Sequence, residues 1–246
     1  MVWPLIRRGL LIGALAGLLA GCFAFAFGEP LVQDAIDIEE AASAQAALHV
    51  AVPAHVSDWV VSRDEQRGGL FLGTLLYGLC IGTVFAMAFA VLRGRGAERD
   101  DWQLSTRLAA ALFVVFVLIP FVKYPANPPA VGNPDTIGDR TWAYLALLAG
   151  SLAALVAAAR VAWSVRPDAP AWRAPLLGGG TFLALVAFLM LVLPGVDEVP
   201  EGFPASLLWE LRLSSLGTQA VLWTVLGVGY GIASLRGAPG RAPATA

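Results

Sequence analysis

Residues 69–92 read GLFLGTLLYGLCIGTVFAMAFAVL, a stretch without one charged side chain. The hydrocarbon core of a bilayer is about 30 Å thick, and a helix crosses it in roughly 20 residues. Backbone amides surrounded by lipid must find partners within their own segment, which selects a helix. Working outward, five more stretches meet the same test: 8–27, 105–122, 141–163, 175–193 and 206–234. None carries a charge in its central turns. The sequence therefore predicts an all-α, polytopic membrane protein. Six transmembrane helices form a single domain over residues 1–236, and a disordered cytoplasmic tail follows at 237–246.

Composition agrees with this reading. The 246 residues are 58% hydrophobic and 14% charged, against roughly 25% charged in a soluble domain. A net charge of -2 gives no basic field, so nucleic acid is not an expected partner. The two cysteines, Cys22 and Cys80, lie inside apolar runs and form no C-x-x-C pair. That excludes a structural zinc framework and predicts two buried small side chains.

Orientation follows from the basic residues of the short connections. With the N-terminus inside, eleven fall inside: Arg7, Arg8, Arg93, Arg95, Arg99, Arg107, Arg160, Arg166, Arg173, Arg236 and Arg241. Five fall outside: Arg63, Arg67, Lys123, Arg140 and Arg212. Acidic residues divide the other way, four inside and fourteen outside. Both termini are expected in the cytoplasm of a bacterial inner membrane. Arg7-Arg8 with Leu19-Ala20-Gly21-Cys22 also resembles a lipoprotein signal, whose cleavage would leave five spans. The apolar run continues through Phe27, which favours an intact first span.

Within that span Gly9, Gly13, Gly17 and Gly21 recur every four residues. They share one helix face and let a neighbouring backbone approach closely. Gly69/Gly73 and Gly78/Gly82 in the second span, and Gly227, Gly229 and Gly231 in the sixth, extend the same habit.

The outer connections carry the chemistry. The long loop, 28–68, opens Gly28-Glu29-Pro30, and Pro30 is expected to start a short amphipathic helix reaching about Leu48. Its polar face offers Glu29, Gln33, Asp37 and Glu40. Both histidines, His49 and His55, lie in this loop. Their spacing of six is not that of a helical metal pair, yet histidines beside carboxylates suit Co²⁺, Ni²⁺ or Zn²⁺.

The connection after the third span, from Lys123 through Pro125, Pro128, Pro129 and Pro134, is too rich in proline for a simple helix. A stiff loop is expected, with Asn127, Asn133 and Asp135 as oxygen donors. Lys123 stands at a membrane edge, ready to pair with a carboxylate. Asp139-Arg140-Thr141 starts the next span. The connection after the fifth span holds Asp197, Glu198 and Glu201 between prolines. The sixth span then brings Glu210, Arg212, Thr218 and Gln219. Polar groups at such depth need partners or a cavity. Glu210 and Arg212 cannot face each other on a helix, so Lys123 and Asp197 or Glu198 are candidate partners for them, and Arg140 is a further ion-pair residue.

These stretches carry a resemblance. Phe27-Gly28-Glu29-Pro30, Gln66-Arg67-Gly68-Gly69-Leu70-Phe71 and Lys123-Tyr124-Pro125-Ala126-Asn127-Pro128-Pro129 are similar to the CbtA family, cobalt transporter subunits of bacterial membranes. So are Pro134-Asp135-Thr136-Ile137-Gly138, Val196-Asp197-Glu198-Val199-Pro200 and Leu213-Ser214-Ser215-Leu216-Gly217-Thr218-Gln219. The resemblance runs nearly the whole chain. It implies a permease subunit for a divalent transition metal, Co²⁺ as the transported ion rather than a bound cofactor, and a small single-span CbtB-like partner with a histidine metal motif. It also implies a histidine-rich first loop, where this chain has two histidines.

No G-x-x-x-x-G-K-[ST] loop is present, so ATP hydrolysis by this chain is not expected. The absence of H-E-x-x-H and G-x-S-x-G removes two hydrolase types. The alternatives are a membrane enzyme using external carboxylates and an assembly subunit that moves nothing alone. For a transporter, the outer ends of the first, third and sixth spans are expected to converge. That would bring Glu29, Asn127, Asp135, Asp197 and Glu198 into one acidic vestibule, with His49 and His55 or a partner supplying nitrogen ligands.

Overall fold

The computed structural model describes residues 2–49, 62–95, 100–128, 132, 134–165, 167–200 and 202–236. Helices dominate, and no strand occurs among the described residues. Helix α1 (Trp3–Phe23) passes through a π turn (Ala24–Gly28) directly into α2 (Glu29–His49). Then come α3 (Arg63–Leu92), α4 (Asp101–Phe113), a second π turn (Val114–Leu118) and α5 (Ile119–Lys123). A 3₁₀ turn (Pro134–Thr136) leads into α6 (Ile137–Ser164), followed by α7 (Arg173–Val192) and α8 (Ala205–Arg236). Six of these helical runs are long and apolar enough to cross a membrane, and each coincides with or encloses one of the six expected spans, the fifth ending one residue earlier at Val192.

Pro30 does not start a separate helix, as the sequence suggested. It is absorbed into a continuous one. A proline inside a helix lacks an N–H and crowds the carbonyl four residues back. Just before Pro30, the Glu29 N–H donates to Ala24 O, five residues back instead of four. The wider turn makes room for the ring. The same arrangement precedes Pro120, where the Ile119 N–H donates to Val114 O.

Contacts group the chain into two compact units, Met1–Ala110 with Leu213–Ala246, and Ala111–Arg212. In the first unit α1 packs chiefly on α3, and the glycine face does what the spacing predicts. A Cβ built on Gly13 would lie 2.9 Å from the Gly82 Cα, and one on Gly78 2.7 Å from the Gly17 Cα. A Cβ on Gly9 would strike the carbonyl of Gly82, and one on Gly21 would crowd Thr74 and Phe71. Gly69 and Gly73 do not join this seam and have open space around them. Five residues separate Gly73 from Gly78, and about 100° per residue turns them to different faces.

On α8, Gly227 and Gly231 admit Ala109 and Trp102 of α4, while Gly229 meets Ile12 of α1. Phe85 and Phe89 of α3 close on the buried Tyr230 of α8. Polar ties close the seams: Ser105 Oγ donates to Gly227 O at 2.7 Å, and Tyr230 Oη to Leu5 O at 3.2 Å. Cys22 and Cys80 are exposed rather than buried. They stand on helix surfaces among apolar neighbours, where a membrane protein meets lipid.

In the second unit α6 packs on α7. Gly178 admits Ala158 and Ala162, and Gly150 admits Leu189. Leu147, Ser151 and Val115 are fully buried there.

Candidate functional site

In the first unit, the junction of α1 and α2 meets the start of α3. Ser62 caps α3 in a reciprocal pair: its side chain accepts from the Glu65 N–H, and its own N–H donates to Glu65 Oε2 at 2.8 Å. The first turn so fixed presents Arg63 and Arg67. Both guanidiniums converge on Glu29 Oε1, Arg63 through Nη2 and Arg67 through Nε, each at 2.8 Å. Arg63 Nε also donates to Gln33 Oε1 at 3.1 Å. The Glu29 side chain is only 14% exposed, so its charge is held by two bases. An open cavity of about 620 Å³ lies beside it, lined by Phe25, Ala26, Pro30, Gln33, Asp34 and Arg67.

In the second unit, the α5–α6 and α7–α8 connections are fastened together. Lys123 Nζ donates to Met190 O and Leu193 O, both at 2.8 Å. Tyr124 Oη donates to Pro194 O at 2.8 Å. Burial pushes the Tyr124 phenol above its ordinary pKa, so it stays a donor at neutral pH. Glu198 accepts from Thr136 Oγ1 at 2.5 Å and pairs with Arg140 Nη1 at 2.9 Å. Gly132, at φ 132°, leaves room for that pair: a Cβ there would lie 3.0 Å from Glu198 Oε2. Arg212 donates to Ala126 O at 3.2 Å and Asn127 Oδ1 at 3.3 Å.

A cavity of about 170 Å³ results, lined by Tyr124, Asn127, Arg140, Tyr144, Asp197 and Arg212 among others. Asp197 is exposed at its edge and has no hydrogen-bond partner among the described residues. Asp135 and Glu210 are exposed.

The expected partners of two bases differ. Arg140 stands beside Glu198, while Lys123 holds backbone carbonyls. Unpaired carbonyls at a helix end attract a cation as a carboxylate does, and α7 ends beside Lys123. Arg212 takes a carbonyl and an amide oxygen rather than Asp197 or Glu198. Glu29 lies in the first unit. Asn127, Asp135, Asp197 and Glu198 lie in the second, where the cavity gathers Asn127, Asp197 and Glu198. No group of three His, Cys, Asp or Glu side chains close enough to share a metal ion occurs among the described residues. His55, Asn133, Glu201 and the His49 side chain lie outside them. Sequence reasoning missed Tyr124, Tyr144 and Thr136 as site residues. The available signals for Tyr124 and Thr136 were their place in the proline-rich connection and in the motifs that carry the family resemblance.

The sequence profile of the family described as "Probable cobalt transporter subunit (CbtA)" matches residues 3–234. The chain belongs to the CbtA family. The family's description is that of a probable cobalt transporter subunit, the chain's six long apolar helices are those of a multi-pass membrane protein, and the word subunit implies at least one further chain. No curated protein and no solved structure matches the sequence.

Proposed function

We propose that this CbtA chain admits a divalent transition-metal ion, cobalt by its family, from an outer mouth edged by Asp197 and passes it toward the cytoplasm. The surface bearing residues 28–68 faces away from the cytoplasm, and both termini lie inside a bacterial inner membrane. The chain does no covalent chemistry. A small single-span CbtB-like subunit supplies nitrogen ligands, with His49 and His55 as this chain's own contribution.

The observation carrying the outer mouth is Asp197. It is an exposed carboxylate at the edge of a cavity lined by Asn127, Tyr124, Glu198 and the guanidiniums of Arg140 and Arg212 among others, while its neighbour Glu198 is held by Arg140 and Thr136. Arg140 and Arg212 balance Asp197 and Glu198 in charge, so the cavity is no deep trap. A permeation mouth needs weak, exchangeable oxygen contacts, because an ion that enters must also leave. Glu29 serves as a structural anchor for Arg63 and Arg67.

Co²⁺ uptake into proteoliposomes containing this chain, alone and with its partner, tests the reading. Asp197→Asn should lower uptake several-fold while insertion is retained. Unchanged uptake in that variant and in the double variant with Glu198→Gln would make the cluster structural. Reporter fusions at Ala246 and near Ser57 should report opposite sides. The same side for both would remove the six-span topology.

A further inference from the structure

The apolar run of α1 ends at Phe27, and that of α3 begins at Gly69. The bonds from Arg63 and Arg67 to Glu29 bring these two ends to one level. The cavity of about 620 Å³ beside them therefore opens where hydrocarbon gives way to water. Its lining changes in character along the helix. Phe25, Ala26 and Pro30 give an apolar floor, and the Phe25 ring is exposed even where it leans on Phe71 at 5.6 Å. Arg67, with a partly exposed side chain, stands at the border. Asp34 lies about 7.5 Å beyond Glu29 along the helix axis, away from the apolar span.

The charges at this border are not all spent. Two guanidiniums share the one carboxylate of Glu29. Arg67 gives Nε to Glu29 and Nη1 to the exposed Asp64 at 3.5 Å, and its Nη2 makes no hydrogen bond to a described residue. Asp34 is exposed and has no hydrogen-bond or ion-pair partner among the described residues. One cavity thus offers, from the hydrocarbon outward, an apolar wall, a guanidinium donor and an uncommitted carboxylate.

Phosphatidylethanolamine carries the complementary groups in the same order: acyl chains, a phosphodiester, then a primary ammonium. We propose that this cavity binds that lipid, with its phosphate on Arg67 Nη2, its ammonium on Asp34 and its upper acyl chain against Phe25. Both polar contacts are charge-assisted hydrogen bonds, the stronger class. A choline headgroup has no N–H to give Asp34, and a glycerol headgroup brings no cation to it. The site holds whatever the chain transports and whichever side of the membrane it faces.

Native mass spectrometry tests the site, on the full chain released from nanodiscs with equal parts phosphatidylethanolamine, phosphatidylcholine and phosphatidylglycerol. The wild type should retain phosphatidylethanolamine severalfold over the other two. Asp34→Asn should bring it down to the level of phosphatidylcholine, and Asp34→Glu should restore the preference. Glu40→Gln makes the same charge change on α2 outside the cavity and should leave the preference intact. The site is overturned by a wild type without preference, by one that favours phosphatidylglycerol, or by a preference that survives Asp34→Asn. An equal loss in Glu40→Gln overturns it too, since net charge alone would then set the lipid order. Asp34 is exposed, so its variants should melt with the wild type; if they do not fold, the wild-type lipid order by itself decides.

Discussion

The α1–α3 seam and the fastened loops between α5 and α8 solve the same problem in opposite ways. Along the seam, glycine backbones touch because no side chain intervenes, and a built Cβ at Gly13 or Gly78 falls within 3 Å of a facing Cα. Dispersion and close shape hold it, as they must where lipid gives apolar surfaces no reason to separate from it. The loops instead use charge-assisted bonds: Arg140 to Glu198, Lys123 to Met190 O and Leu193 O, Arg212 to Asn127. Packing of the first kind tolerates no added atom. Fastening of the second kind tolerates added atoms but not a lost charge.

The largest expected effect attacks the seam. Gly13→Leu or Gly17→Leu should cost about 3 kcal/mol or more through overpacking against backbone, read as lost folded yield and lowered melting temperature. Gly73→Leu, in open space, should change stability by less than about 0.5 kcal/mol. Equal behaviour of Gly17→Leu and Gly73→Leu would dissolve the distinction drawn above.

On the loop side, Lys123→Met keeps the bulk and removes two charge-assisted bonds. A loss of about 2 kcal/mol is expected, together with faster proteolysis of the α7–α8 connection. Glu198→Gln should cost about 1 to 2 kcal/mol, since it leaves the Arg140 charge without its carboxylate. Pairing it with Arg140→Gln should recover about 1 kcal/mol in a double-mutant cycle. Additive losses would show the two side chains to be independent. The smallest effect is expected at Arg93 and Asp101, which meet at 2.6 Å with Arg93 half exposed. Asp101→Asn should change the melting free energy by less than about 1 kcal/mol and less still at high salt.

The spans and the glycine seam were legible because each depends on one periodic property of one helix. Hydropathy located all six spans, and fourfold spacing found Gly9, Gly13, Gly17 and Gly21. It overreached at Gly69 and Gly73, because small residues mark a contact only when the partner helix meets that face. The loop fastening was half legible. Lys123, Arg140, Glu198 and Arg212 were recognised as members of a polar cluster, but not which would join which. Backbone carbonyls at the end of α7 have no letter in the sequence, so the acceptors of Lys123 were invisible. The same blindness covers the π turns: Pro30 and Pro120 announced a disturbance, while its accommodation depended on which carbonyl each N–H found.

Those two turns have a directional consequence. Each takes one residue more than the α-helical ladder would use, and one residue is worth about 100° of rotation. Everything beyond the turn is rephased like a thread cut with one offset groove. A helical wheel drawn straight through residues 3–49 therefore misassigns every side chain after Gly28 by about a quarter revolution. Removing one residue from Ala24–Gly28 would restore the ladder and swing Glu29 off the bearing on which Arg63 and Arg67 now meet it. The irregular turn acts as an aiming device, setting the azimuth of a carboxylate that propensity alone would have left pointing elsewhere.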